Sequence, residues 1–383
     1  MRMHENVPMR VLHVITALGV GGAEHMLLKL VGAPAMAGFE HRVVALLPGG
    51  ALAAPLAAAG AGVEELDLMG GVPLIGGAVQ LALHARRYAP DLVQGWLYHG
   101  NLGAMLARRV QRRRVPLVWG IRQSLPSLRG ENVHARAAIR LSRILSSQPD
   151  CLLFNSQVSI EQHRDFGFDV RRAQHLPNGF DTRRFAPDEV ARARLRQAWG
   201  VSPDEVVFGL VARYHPVKDH AGFLRAAGLA LRARPSVRLV LAGPGIDAAH
   251  PALLQQVAEA GLAGRVSLLG VQHDVPALLS ALDVYVSASL AEAFSNAVGE
   301  AMSCALPCIV TSVGDSASVL GNAGRVVPPR APEALSRAMV ELVDLGSTGR
   351  AVLGRQARAR VESAFGLDAV AQRQATLYRQ LVG

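Results

Sequence analysis

Arg10-Val-Leu-His-Val-Ile15 is a short apolar run with β-branched residues, and Gly19-Val-Gly-Gly22 follows it closely. Residues 23–30 then carry apolar side chains at helical spacing. Strand, glycine-rich turn and helix in that order open a parallel α/β domain. Working outward, His41-Arg-Val-Val-Ala-Leu-Leu47 reads as the next strand and 51–59 as a helix. Segments 91–94, 116–119 and 151–154 read as later strands, with helices over 103–110 and 136–146 between them. The pattern restarts after Asn178. Strands are expected at 206–211, 237–242, 266–269, 284–287 and 308–310, and helices at 221–232, 252–260, 275–281 and 296–303. Alternation of this kind predicts parallel sheets covered on both faces. The fold class is therefore α/β, with two doubly wound Rossmann-like domains facing a central cleft. The expected boundaries are 1–178, 179–365 and a C-terminal helix in 366–383 that packs back toward the first domain.

Composition narrows the class. The chain has 383 residues, half of them hydrophobic, 18% charged and 5% aromatic. That is long enough for two cored domains and too apolar for a disordered chain. Cys151, Cys304 and Cys308 are an odd set without metal-ligand or redox spacing, so they read as small buried hydrophobes rather than a disulfide framework or zinc ribbon. Residues 1–9 are polar and lack the apolar core of a leader. The uncharged runs 43–63 and 68–85 are broken by glycine and proline and read as pieces of an ordinary α/β domain.

The net charge of +10 is uneven: residues 1–185 hold 21 basic and 13 acidic side chains, and 186–383 hold 19 and 17. A basic first half suits an anionic partner. An arginine-biased composition is the competing explanation, because only Lys29 and Lys218 are lysines. Within 129–148, Arg136, Arg140 and Arg143 share a helix face beside Val133, Ala137, Leu141 and Ile144. Such a helix either lies on an anionic leaflet or packs its apolar face on a core.

The chemistry-bearing residues cluster in the second half. In Glu292-Ala-Phe-Ser-Asn-Ala-Val-Gly-Glu300, Asn296 is a candidate helix N-cap, which aims the first amides of the helix outward as an anion site. Glu300 lies one turn inside, where a carboxylate can accept from vicinal hydroxyls. Arg213, after a strand, and Lys218, five residues on, form a two-pronged cationic clamp for a diphosphate. Two surface glutamates on a capped helix and a solvated basic turn are the plain alternatives.

Together these segments resemble the retaining, nucleotide-sugar-dependent glycosyltransferases of family 4, which have the two-domain GT-B fold. Glu292, Phe294, Asn296, Glu300, Ala301, Met302 and Pro307 stand in the places of that family's paired-glutamate motif, with Ala293 where it usually has glycine. Gly19-Val-Gly-Gly-Ala-Glu24, Phe154-Asn-Ser156, Leu176-Pro-Asn-Gly-Phe-Asp181 and Thr311-Ser-Val-Gly-Asp315 match further family segments, and His99 matches its active-site histidine. Gln94-Gly-Trp96 replaces its usual His-x-His.

The resemblance implies that His99, Glu292, Arg213 and Lys218 serve catalysis. It implies that Gly21, Gly22, Arg213, Lys218, Phe294, Ser295, Asn296, Ala297 and Glu300 bind the donor. Glu24, Tyr98, Asn101 and Arg122 would line the acceptor side. No metal or cofactor is implied, since no Asp-x-Asp occurs, and the donor would be a UDP or GDP sugar. The implied reaction moves a hexose to a glycan or lipid-linked acceptor in polysaccharide or lipopolysaccharide synthesis. The implied location is the cytoplasm, with peripheral contact at the inner face of the plasma membrane through Arg136, Arg140 and Arg143. Two readings stay open beside it: a nucleotide-sugar epimerase on the same fold, and a basic nucleic-acid binder. The second lacks aromatic residues for stacking. A dinucleotide dehydrogenase lacks the full Gly-x-Gly-x-x-Gly.

Overall fold

The computed structural model describes residues 7–68, 74–128, 130 and 132–383. Residues 1–6 of the polar N-terminal stretch, 69–73 of the second uncharged run, and 129 and 131 lie outside the described residues. The chain divides into one unit of Met1–Gly179 with Leu367–Gly383 and a second of Phe180–Gly366.

The first unit holds strands β1 Met9–Ile15, β2 Phe39–Ala45, β3 Gly62–Glu65, β4 Leu92–Trp96, β5 Leu117–Ile121, β6 Cys151–Phe154 and β7 Ala173–His175. Its helices are α1 Gly22–Val31, α2 Ala53–Ala58, α3 Leu74–Tyr88, α4 Leu97–Arg109, α5 Val133–Leu145 and α6 Gln157–Asp165. The second unit holds α7 Glu189–Ala198, β8 Val206–Val211, α8 His220–Ala233, β9 Val237–Ala242, α9 Pro251–Glu259, β10 Val266–Leu268, α10 Val275–Ser280 and β11 Val284–Ser287. It continues with α11 Asn296–Ser303, β12 Cys308–Thr311, α12 Ser316–Leu320, β13 Gly324–Val327, α13 Pro332–Asp344 and α14 Gly346–Ala364. The last helix, α15 Leu367–Val382, belongs to the first unit.

Both sheets are parallel. Their orders are β3-β2-β1-β4-β5-β6-β7 and β10-β9-β8-β11-β12-β13. Each order reverses direction once, between β1 and β4 in the first sheet and between β8 and β11 in the second. These switch points open a crevice at the carboxyl ends of the strands, where ligands of doubly wound sheets bind. The strands are near-continuous apolar runs, buried on both faces as parallel strands must be. The first uncharged run resolves into pieces of β2, α2 and β3, and the described part of the second is a turn residue, Leu68, and the first part of α3. Among the described residues no helix is long and apolar enough to cross a membrane. The three cysteines are free, buried thiols.

Helix α15 packs Val370, Ala371, Ala375, Leu377 and Tyr378 into the core above β1 and β2. Gln94 of β4 accepts from Gln374 Nε2 at 3.1 Å and from the Tyr378 hydroxyl. In the second unit, Asp283 accepts from Arg192, Arg196 and the Val207 amide at 2.5, 2.7 and 2.8 Å, tying α7 to the amino ends of β8 and β11. Burial raises the Asp283 pKa, but the two guanidiniums outweigh it and leave the carboxyl below its usual value.

Helix α5 presents a surface the periodicity left open. Ala138, Ile139 and Ser142 face the core. The stripe that carries Val133, Leu141 and Ile144 is turned outward, with 76%, 46% and 69% of those residues exposed. Ala137, Arg136, Arg140 and Arg143 are exposed as well.

Several histidines are buried as neutral rings. His41, His163 and His220 are pushed down to about 4, chiefly by burial, and His13 lies well below its ordinary value from burial and the neighbouring His41. The unfolded chain binds protons near pH 6.5, before these rings do. Folding stability is therefore full above about pH 6.5 and falls as pH drops toward 4, by about 1.4 kcal/mol per pH unit for each such ring. Urea midpoints measured from pH 7 to 4 should fall in that sense, and His163→Gln should make the slope shallower by about one proton.

Candidate active site

The second unit assembles its site at the β8/β11 switch point. Strand β8 ends at Val211, and Arg213 stands exposed two residues beyond it. Its side chain makes no hydrogen bond or ion pair with the described residues. A 3-10 turn, Pro216–Lys218, follows, and Asp219 (φ 49, ψ 50) caps α8 by accepting from the Gly222 amide. Lys218 thus belongs to the turn before the helix and not to its start.

From the neighbouring strand β11, the loop carrying Ser289 and Glu292 comes back over this turn. The Leu290 amide donates to the Val217 carbonyl at 2.7 Å. Lys218 Nζ meets Glu292 Oε1 at 2.5 Å, and Ser289 Oγ donates to the same oxygen at 2.7 Å. The two halves of the expected clamp and sugar site are therefore in direct contact. Behind them, Thr311 Oγ1 donates to the Ser289 carbonyl at 2.6 Å, and the Asp315 amide donates to the Ala293 carbonyl at 3.0 Å. Gly314 has φ +51, and a Cβ there would sit 2.3 Å from the Glu292 carbonyl oxygen, so only glycine fits. Ala293 is not among the positive-φ residues, so alanine in place of the family's glycine costs no strain there.

Helix α11 starts at Asn296, with Ser295 as its N-cap and no side-chain capping bond. This corrects the expectation that Asn296 is the cap. Asn296 and Ala297 form the first turn, where amide donors lack partners within the helix. Ser295 and Ala297 line a small cavity of about 20 Å³ together with Lys218, Ser289 and Glu292. Glu300 lies in the second turn and is partly exposed. Buried Tyr285 feels both glutamates: burial first, then Cys308, Glu292 and Glu300 raise its pKa well above the ordinary value. Phe294 is a core residue. It stacks on Phe180 at 5.9 Å and meets Phe365 edge-on, so its side chain cannot contact a donor. Gly299 is the space that Phe180 fills, at 2.0 Å from a would-be Cβ.

The first unit arranges its candidates differently from the reading by sequence. Helix α4 begins at Leu97 (φ 61), directly after β4, with no loop. His99 is thereby in the first turn of α4, half-buried beside His134, and burial followed by His134 lowers its pKa. The ring is neutral near pH 7 and can accept or donate a hydrogen bond. Gly100 lets this turn approach β1, since a Cβ would lie 2.4 Å from the Val14 carbonyl oxygen.

Three expected acceptor-side residues are used by the fold instead. Tyr98 is buried, with its hydroxyl 2.7 Å from His163 Nε2. Asn101 is buried and donates to the Gly120 carbonyl. Arg122 lies over the Trp96 ring at 4.8 Å and donates to Asn178 Oδ1, and burial lowers it to about 10. Glu24 folds its carboxylate back over the start of α1. A Cβ on Gly21 would sit 2.3 Å from it, which is what the glycine there permits. Burial raises the Glu24 pKa. Gly21 is the extended N-cap of α1, and Gly22 its exposed first residue.

Sequence reasoning missed Ser289, because a serine three residues before a loop glutamate carries no periodic signal. It also missed the cluster at the end of β8, in which the Tyr214 ring lies tilted against His250 at 4.3 Å and His220 at 5.3 Å. Among the described residues no group of three or more His, Cys, Asp or Glu is placed to hold a metal ion.

Comparison with known proteins bears on the family and the fold. A family profile described as Glycosyltransferase Family 4 matches residues 20–184, and one described as Glycosyl transferases group 1 matches 205–344. A UDP-Gal:alpha-D-GlcNAc-diphosphoundecaprenol alpha-1,3-galactosyltransferase of Escherichia coli is 31% identical over 157 residues, 40% of each chain. A D-inositol 3-phosphate glycosyltransferase of Kineococcus radiotolerans is 29% identical over 333 residues, 79% of this chain and 74% of that one. The chain spans 36%, 40% and 54% of the length of three curated relatives it matches, the Escherichia coli enzyme among them. Anabaena HepE, solved in complex with UDP, superposes with a TM-score of 0.84 at 22% identity, covering 97% of this chain and all of HepE. That likeness establishes the GT-B fold.

Because Arg213 and Lys218 are the cations at the β8 end, Arg213→Ala and Lys218→Ala should each weaken binding of a nucleoside diphosphate by about 1.5–3 kcal/mol, the worth of a charge-assisted bond. Calorimetry should show the parent nucleoside almost unaffected.

Proposed function

The chain belongs to the family 4 glycosyltransferases, and from that membership we propose that it is a retaining, metal-independent transferase using a nucleotide diphosphate sugar. The observation that carries the reading is the convergence of Arg213, Lys218, Glu292 and the start of α11 at one switch point. Two cations and a helix start suit a diphosphate, and a carboxylate beside them suits sugar hydroxyls. UDP is the first nucleotide to test and GDP the second, given the UDP-galactose named for the Escherichia coli relative and the GDP-mannose named for a Corynebacterium glutamicum relative.

In the proposed reaction the bond from the anomeric carbon to the diphosphate oxygen breaks, and a bond to the acceptor oxygen forms on the same face. The acceptor proton passes to the departing diphosphate. The protein's part is position and charge stabilisation rather than covalent chemistry. Arg213, Lys218 and the α11 amides hold the charge that develops on the diphosphate. Glu292 holds hydroxyls of the transferring sugar, Glu300 those of the ribose, and neutral His99 serves the transferring sugar. The family matches favour this reading over the epimerase and the nucleic-acid binder.

The acceptor we propose is a glycan or lipid-linked sugar, of the kind used in polysaccharide or lipopolysaccharide synthesis, met at the cytoplasmic face of a membrane. Helix α5 supports this. Its outward Val133, Leu141 and Ile144 lie beside exposed Arg136, Arg140 and Arg143, and the helix contains no acidic residue. An apolar stripe edged with arginine matches an anionic leaflet.

A thermal-shift panel of UDP, GDP, ADP and CMP sugars tests the donor, since a ligand bound by the native state raises its melting temperature. Transfer should persist in EDTA, and dependence on added magnesium or manganese would overturn the clamp assignment. Glu300→Gln should mainly raise donor KM and weaken the free nucleotide diphosphate, whereas Glu292→Gln should lower kcat with nucleotide affinity nearly intact. Arg136→Glu combined with Arg140→Glu should release the protein from vesicles containing phosphatidylglycerol while activity on a short soluble acceptor survives. Unchanged vesicle binding would remove α5 from the membrane reading.

A further inference from the structure

We propose that Ser289 is a positioning residue that holds the Glu292 carboxylate in place once Lys218 turns to the donor diphosphate; this rests on the transferase reading above. Glu292 Oε1 receives both protein donors, Lys218 Nζ at 2.5 Å and Ser289 Oγ at 2.7 Å. Oε2 has no hydrogen-bond partner among the described residues, which leaves it to accept from substrate hydroxyls.

The two donors to Oε1 differ in kind. Lys218 is a flexible four-carbon stem with a compact charge at its end. It is partly exposed, and it is assigned to a diphosphate whose charge exceeds that of one carboxylate. Ser289 is buried. Its carbonyl is held by Thr311 Oγ1 at 2.6 Å, from the end of β12, and the next amide, Leu290, donates to Val217 at 2.7 Å. Gly314 and the Asp315 amide close the loop from behind, against the carbonyls of Glu292 and Ala293. The backbone that carries the Ser289 hydroxyl is therefore held by neighbouring segments, and the bond from that hydroxyl to a carboxylate is charge-assisted. When the diphosphate draws Lys218 away, Ser289 is the donor that keeps Oε1 where it is and so keeps Oε2 aimed. Because the misplacement of a reacting group by about 1 Å can cost on the order of a hundredfold in rate, a single hydroxyl in this position matters to turnover.

The test uses the full chain and the nucleotide sugar that the wild-type protein turns over, with UDP-glucose and GDP-mannose tried first. Ser289→Ala should lower kcat by about 10–100-fold, with donor KM and calorimetric affinity for the free nucleoside diphosphate within about threefold of wild type. Thr311→Val, which removes the bond behind Ser289 and keeps its hydroxyl, should lower kcat in the same direction by less. It also serves if Ser289→Ala fails to fold. Wild-type kcat in the folded variants, or nucleotide affinity falling in step with kcat, overturns the proposal. If the wild-type protein binds a nucleoside diphosphate but turns over no donor, the transferase reading fails on its own. The brace is then decided by the crystal structure of that nucleotide complex. Oε1 still on Ser289 Oγ with Lys218 displaced supports it, and Oε1 carried off with Lys218 overturns it.

Discussion

The Lys218–Glu292 contact joins residues 74 positions apart, and the second unit's site is organised around it. It exists because β8 and β11 are neighbours, with Val284 opposite Phe208 and Tyr285 opposite Gly209. That pairing depends on small residues as much as on apolar ones. A Cβ on Gly209 would lie 2.1 Å from Leu282, so a larger residue would separate α10's end from the strand. With the strands adjacent, their two loops meet at the backbone through Leu290 and Val217, and the charged side chains follow. A cation and a carboxylate placed in this way satisfy each other.

Support behind the site comes from packing that has no chemistry of its own. Phe180, Phe294 and Phe365 form an aromatic cluster under α11, and Gly299 gives Phe180 its space. Thr311 and Gly314 hold the glutamate loop from the side of β12. Rigid neighbours of this kind are what keep a catalytic carboxylate within a fraction of an ångström of its productive place. Phe294 belongs to the same motif as the two glutamates, yet its ring packs in the core against Phe180 and Phe365.

The first unit spends its polar residues inward. Tyr98 and His163, Asn101 and Gly120, and Arg122 with Asn178 and Trp96 are internal struts. Gln94 anchors α15 through Gln374 and Tyr378. What this unit leaves outside is mainly arginine, together with the apolar stripe of α5. Some of these arginines are neutralised, as Arg113 is by Asp91 and Arg114 by Asp150, whereas Arg136, Arg140 and Arg143 of α5 are exposed on a helix without an acidic residue and suit an anionic partner.

The alternation of apolar runs with helically spaced segments was enough to determine two parallel α/β units, because buried parallel strands leave continuous hydrophobic signatures. The paired glutamates, Arg213 and Lys218 were also legible, since glutamates at that spacing straddle a helix start and an isolated lysine stands out in an arginine-rich chain. Short edge strands such as β3 and β7 were not legible, being too brief and half-polar to leave a pattern. Nor was the abrupt turn at Leu97, whose left-handed backbone starts α4 without a loop and moves Tyr98 and Asn101 from an expected surface to the interior. Side-chain direction on a helix depends on where the helix begins, and only the packed structure sets that. The same holds for Ser289 and for the outward stripe of α5. Whether a hydroxyl meets a carboxylate, or an apolar face meets a core, is decided by which distant segments the fold brings beside it.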